Sequence, residues 1–392
     1  MIDTSAMLAR ARPLLTCLLA AGVLFAAPPA FAQNGPSPTA IADYRAKLAI
    51  YEQVRGAYEA QASAYWDAVA EKRRTRNAKR RDRVAIVLDD YVLTHPPVYS
   101  GPPRPVDPLA PPGPPPDEKP PIPVVADFIK NAATQFGFVP DLPGNDLAFK
   151  RAYAKAALAA GLTREQIVGI YAFETGGNGA YDSQSGLVPY RPGAKPISPA
   201  VGYNQLLSTN SVSLLAEHGD RFLATLRQKA KTASGAGKLA LERKIEAFKR
   251  MIAYSRSVPN RWSEHDRLAK TTPGGFGIHA AVLDIDIGPQ LQVQKLMDSV
   301  RFARMKGYHA PLSAAELELM NLTGDSTGLD MVMMPPDFRV RVPTANFFQR
   351  NGYERNPVAR RTGVVAALLA DIEGKMSRAS QSPGAKDLTS SF

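Results

Sequence analysis

In the stretch "GIYAFETGGNGAYD", residues 169–182, one carboxylate stands among apolar residues and the helix-forming pattern stops directly after it. Ile167, Ile170, Tyr171 and Glu174 fall at i, i+3, i+4 and i+7, so Glu174 shares the apolar stripe of a helix. It lies in the last turn, where the helix dipole is negative. Desolvation and dipole both disfavour the charged form and raise its pKa. A carboxyl kept protonated near neutral pH can give its proton to the leaving oxygen of a glycosidic bond. Asp182, further along the loop, is the nearest second carboxylate in sequence. It follows glycines in a polar loop and reads as an ionised, solvated turn residue; Asn178 and Ser183 read as loop formers. The plain alternative for Glu174 is a salt-bridge or capping carboxylate without chemistry.

The elements that would position Glu174 are legible nearby. Thr163 and Gln166 have capping-box spacing and open its helix. Gly176 and Gly177 end it, which leaves the acid at the floor of a cleft. From Val124 onward the pattern is dominantly helical. Val125, Phe128, Ile129, Ala132 and Phe136 share a face, and Gly161 closes the next helix. Pro289 marks a first helical position, Ser313 and Glu316 form another capping box, and "NPVARRTGVVAALLADIEGKM" is the last helix. "DFRVRV", 337–342, alternates as a short hairpin arm would. The fold class expected is mainly α.

Arg10 and Arg12 precede the apolar run "LLTCLLAAGVLFAA" and the small-x-small site Ala30-Phe31-Ala32. This is the pattern of a cleaved signal peptide over 1–32, the run being short of the ~20 residues of a spanning helix. Cys17, the one cysteine, would leave with it, so no disulfide or Cys-based metal site is expected. The five histidines show no paired ligand spacing, and neither metal nor cofactor is expected. The net charge of +12 favours anionic surfaces, and export argues against nucleic acid. Part of that charge lies in "EKRRTRNAKRRDR", 71–83.

Within 33–94, Ile41, Tyr44, Leu48, Tyr51, Tyr58, Ala62, Tyr65 and Val69 step by threes and fours, the mark of a helical stalk with a narrow seam. Such a seam needs a second helix or another copy, and "RVAIVLDDYVL" could pack back on it. The seam and basic run of 41–83 would suit an envelope or membrane-complex partner. Residues 95–123 are proline-rich, a polyproline II spacer between the stalk and a domain over 124–375. The polar tail, 376–392, is expected to be disordered.

About 25 residues after Glu174 stands "ISPAVGYNQLLSTNSVSLLAEHG", 197–219. An acid at a helix end, a loop, then Gly-aromatic-x-Gln-Leu and a Ser/Thr helix start resembles the soluble lytic transglycosylase family, with its lysozyme-like fold. The resemblance covers residues 160–220. It implies Glu174 as acid/base, Thr175 where the family has serine, and Tyr203 and Gln205 as sugar-binding residues. The family's Ala-Tyr-Asn-x-Gly motif has no clean copy; "LELMNLTGDSTG" offers Asn321 in its place, and Tyr353 stands for the family's late tyrosine. The stretch 220–275 is longer than the family's connection and is expected to add a helical pair over the cleft.

The resemblance implies an exported, periplasmic enzyme acting on peptidoglycan glycan strands. Its acid protonates the oxygen between N-acetylmuramic acid and N-acetylglucosamine, then deprotonates the muramic C6 hydroxyl, which closes on C1 as a 1,6-anhydro product. Two alternatives stay open. One is a muramidase-type hydrolase with Asp182 or Asp220 assisting water, and the other a non-catalytic wall-binding scaffold.

Overall fold

A computed structural model describes residues 36–111, 121–187 and 193–392. The signal segment 1–32 and residues 112–120 of the proline stretch lie outside them. The chain divides into two units, one of residues 1–54 and 101–114, the other of 55–100 and 115–392. The described residues of the first are the start of a helix and 101–111, which form neither helix nor strand. The second unit carries everything discussed below.

Helix α1 (Pro38–Arg81) is followed by a 3-10 turn, Leu88–Asp90. The globular part runs α2 (Val125–Phe136), α3 (Asp146–Ala160), α4 (Arg164–Thr175), α5 (Ser208–Thr232), α6 (Gly235–Ser255), α7 (Trp262–Thr271) and α8 (Pro273–His279). It continues with α9 (Gly288–Met305), α10 (Ala314–Thr323), α11 (Asp325–Val332), α12 (Pro336–Arg339), α13 (Arg350–Glu354), α14 (Pro357–Thr362), α15 (Val365–Ala379) and α16 (Pro383–Thr389). The protein is mainly helical; among the described residues there are isolated bridges but no strand. No described helix is long and apolar enough to cross a membrane. The alternating "DFRVRV" forms α12 and a turn instead of a hairpin arm, because Pro335 and Pro336 set a helix start there.

Two apolar clusters build the core. One joins α3, α4, α9, α10, α11, α15 and α16; the other joins α2, α5, α6, α7 and α8. The insertion 220–275 extends α5 and forms α6, whose Leu241, Ile245, Phe248 and Met251 are buried in the second cluster. Of this segment it is Trp262, at the start of α7, that reaches the cleft, while α6 packs away into the core. Lys244 reaches across to Asp284 at 2.8 Å and Asp286 at 3.1 Å, tying α6 to the turn before α9.

The second half of α1 is no detached stalk. Ala62, Val69 and Arg76, seven residues apart, are its buried positions, so the seam has a partner within the protein. Tyr65 and Trp66 pack on Ala345, Tyr353 and Ala359. Arg76, 2 % exposed, donates to the carbonyls of Asp90 (2.8 Å) and Asn346 (3.0 Å) and lies over the Tyr91 ring. Arg73 donates to Asn346 and Phe348, Lys79 pairs with Asp90, and Arg80 with Asp330. Much of the basic run is thus spent on the protein's own carbonyls and carboxylates. "RVAIVLDDYVL" does pack back, with Tyr91 in the first core cluster. The boundary expected at 94/95 therefore falls inside one unit.

The tail is also ordered. Ala385 and Leu388 of α16 are buried in the first cluster, where apolar side chains at that spacing outweigh the polar composition. Its start braces the turn behind Glu174: the Gly384 N–H donates to Asn178 Oδ1 at 3.2 Å and the Ser382 hydroxyl to the Gly176 carbonyl at 3.3 Å.

Candidate active site

Glu174 is set by both ends of α4. At the start, Thr163 Oγ1 accepts from the Gln166 N–H and Gln166 Oε1 from the Thr163 N–H, the expected reciprocal box. Gln166 also donates to the Leu312 carbonyl just before α10, which fixes α4 against that helix. Ile167, Ile170 and Tyr171 are fully buried. At the end, Gly176 (φ 64°) and Gly177 (φ 76°) turn left-handed. A Cβ on Gly177 would stand 2.1 Å from the Ala379 carbonyl, so only glycine lets the chain leave here.

Half-buried, Glu174 lines an open cleft of about 730 Å³ together with Gln205, Asn321, Lys295, Trp262 and three further carboxylates, Glu217, Asp298 and Asp325. Asn321 Nδ2 donates to Glu174 Oε1 at 3.1 Å. Glu318, one helical turn before Asn321 on α10, faces Glu174 from behind. It is 0 % exposed and neither of its oxygens receives a hydrogen bond. Burial raises the Glu174 pKa to about 7, against the pull of hydrogen bonds with Glu318 and Asn321. Burial, and then the Glu174 charge, push Glu318 well above the usual carboxylate range.

Gln205 belongs to a tight turn closed by paired hydrogen bonds between Val201 and Leu206, each 3.0 Å. It holds φ 42°, a left-handed value that a non-glycine residue adopts at a cost in strain. Its Nε2 donates to the carbonyls of Ser183 and Gly202, which leaves Oε1 as the untethered end of the amide. The turn straddles the two core clusters: Tyr203 is in the first, Val201 and Leu206 in the second. Asn204 adds a third tie, accepting from the Tyr153 hydroxyl at 2.6 Å and donating to the Gln292 carbonyl.

Five residues expected at the site stand elsewhere. Tyr203 is 0 % exposed; its hydroxyl donates to Asp146 Oδ1 at 2.8 Å and its ring packs on Phe149, Tyr153 and Tyr171. It anchors the turn and cannot reach a sugar. Thr175 turns back to donate to the Tyr171 carbonyl at 2.6 Å, as hydroxyls near helix ends do. Tyr353 lies in a separate hollow with Arg55, Trp66 and Tyr99. Asp182 is exposed, as expected of a turn carboxylate, and lies outside the cleft lining; partial desolvation and the nearby Asp146 charge raise its pKa. Asp220 is paired with Arg256 at 2.8 Å.

Glu217, His218 and Asp298 bring three ligand atoms within 4.8 Å of one another at the cleft rim. His218 Nε2 and Asp298 Oδ2 already satisfy each other at 3.0 Å, and Asp298 Oδ1 accepts from Gln294. His279 is structural: its ring nitrogens meet Ser211 Oγ and the Pro199 carbonyl, and burial lowers its pKa to about 4.

Glu318 was within reach of sequence reasoning. In "AAELELM" its neighbours Leu317, Leu319 and Met320 are all buried, so an acid stands among apolar residues there too, though without the helical stripe that singled out Glu174. Trp262 and Lys295 carry no local signal, since their place depends on how α7 and α9 pack. In comparison with known proteins, no family model, curated protein or solved structure matches this chain.

Proposed function

We propose that this chain is an exported peptidoglycan lytic transglycosylase with a lysozyme-like cleft, cutting the bond between N-acetylmuramic acid and N-acetylglucosamine. The observation behind this reading is Glu174: a carboxyl raised to about 7 at the wall of an open cleft of about 730 Å³. In its protonated form Glu174 gives its proton to the glycosidic oxygen as the C1–O bond breaks. The resulting carboxylate faces the positive charge developing at C1. It then takes the proton of the muramic C6 hydroxyl while that oxygen bonds to C1, and no water enters the product. The internal hydroxyl is favoured because it is held beside C1 at high effective concentration. Asn321, donating to Oε1, fixes the rotation of the carboxyl. Periplasmic location follows from the same reading, as does a glycan strand as partner. An envelope partner at 41–83 would meet the residues before Arg55, because cations of the basic run bind within their own unit.

A hydrolase is the second reading, and the observation in its favour is that Glu217, Asp298 and Asp325 line the same cleft. Product mass separates the two: purified protein incubated with isolated cell wall should release muropeptides with 1,6-anhydro ends, lighter by one water than hydrolysed fragments. Reducing ends would select the hydrolase, and wall binding without soluble fragments the scaffold.

Trp262, 54 % exposed at the cleft wall, presents a flat apolar face of the kind on which sugar rings stack. Trp262→Ala should raise KM for glycan about fivefold, a loss of roughly 1 kcal/mol, with little change in kcat. Titration of the wild type with chitooligosaccharide, followed by tryptophan fluorescence, checks the same contact without catalysis. An unchanged KM would remove Trp262 from the binding surface.

A further inference from the structure

We propose that Glu318 is a positioning residue that keeps its own proton and donates a hydrogen bond with it to the Glu174 carboxylate, so that the two carboxyls work as a pair holding one proton between them after Glu174 has given its own away. The proposal deepens the transglycosylase reading and rests on it for the catalytic role alone.

Geometry carries it. Glu318 is fully enclosed on α10 between Leu317 and Leu319, and neither oxygen receives a hydrogen bond. A carboxylate so placed would be an uncompensated buried charge, which is far more costly than a neutral carboxyl. Its O–H must then find an acceptor, and the Glu174 carboxyl is the acceptor facing it. The other groups around it do not compete. Tyr153, on α3, commits its hydroxyl to Asn204, and Lys295, on α9, lines the cleft without an ion pair to Glu318. Asn321 faces the pair as a donor, through the Nδ2 that reaches Glu174, and so is no rival acceptor for the Glu318 proton. Glu174 therefore ionises first, near 7, while Glu318 stays neutral behind it. The donated hydrogen bond does two things. It fixes the carboxylate that must next take the C6 proton, and it holds the Glu174 pKa below the value that burial alone would give.

The infrared C=O stretch of a protonated carboxyl reads the pair directly. In the wild type that band should persist at a pH where Glu174 and ordinary carboxylates are ionised, and Glu318→Gln should remove it. Kinetics read the consequence. Activity needs protonated Glu174 and so falls as pH rises through about 7. Glu318→Leu, which leaves no donor, should move that alkaline limb up by roughly one pH unit and lower kcat about tenfold. Glu318→Gln keeps a donor and should return the limb to its wild-type place with part of the rate. A wild-type spectrum without the persistent band overturns the proposal whether or not glycan is cleaved, and needs no variant to fold. A limb that stays in place in folded Glu318→Leu also overturns it, leaving Glu318 a packing residue.

Discussion

Glu174→Gln should abolish release of soluble muropeptides, a loss of at least ~10²-fold, while the protein stays folded. The amide keeps the volume of the carboxyl and can still meet Asn321, but it can neither give a proton to the leaving oxygen nor take one from C6. Its melting temperature should be equal to or above that of the wild type at alkaline pH. The pKa of Glu174 is raised in the fold, so the full stability it allows is present below the ordinary carboxylate range and part is lost as pH climbs through about 7. An amide has no such loss. Asp182→Asn, outside the cleft, is the comparison and should change the rate only modestly. Near-wild-type turnover in folded Glu174→Gln would end the catalytic assignment.

A chain beginning at Val124 should be insoluble or melt lower by about 10 °C. Removing the preceding residues strips Arg76 from the carbonyl of Asn346 and Tyr91 from the first core cluster. Asn346 is itself fully buried; its Oδ1 accepts from the Val92 N–H and its Nδ2 donates to the Val92 carbonyl. Nδ2 keeps the Pro343 carbonyl, but leaving the buried Oδ1 without its partner costs ~1–3 kcal/mol, and the lost aromatic packing of Tyr65 and Trp66 on Tyr353 adds to it. The proline-rich stretch had pointed to an independent domain after it. Differential scanning calorimetry of the two chains decides the matter: coincident melting would make α1 an appendage after all.

The local features of the site were written in the sequence. The Thr163 box, the apolar stripe through Ile170, the glycine exit at Gly176 and the acid at the stripe's end are all set by residues within a few positions of each other, through backbone geometry and side-chain periodicity. The heptad spacing of Ala62 and Val69 likewise announced a buried seam. What the seam meets was not local. Arg76 continues the seven-residue step as a cation, which reads as solvated until Asn346, 270 residues on, supplies a carbonyl to bind it. Tyr203 and Asn321 show the same divide from opposite sides. An aromatic in a loop can face solvent or core with equal local propensity, and Asp146 with the rings of Phe149, Tyr153 and Tyr171 drew it inward. Asn321 reaches Glu174 only because α10 packs against α4. The place of Glu174 at the end of an apolar stripe follows from its own helix; its raised pKa, its partners, its neighbour Glu318 and the cleft before it exist only once the two core clusters have closed, because desolvation and hydrogen-bond pairing are properties of groups brought together from distant parts of the chain.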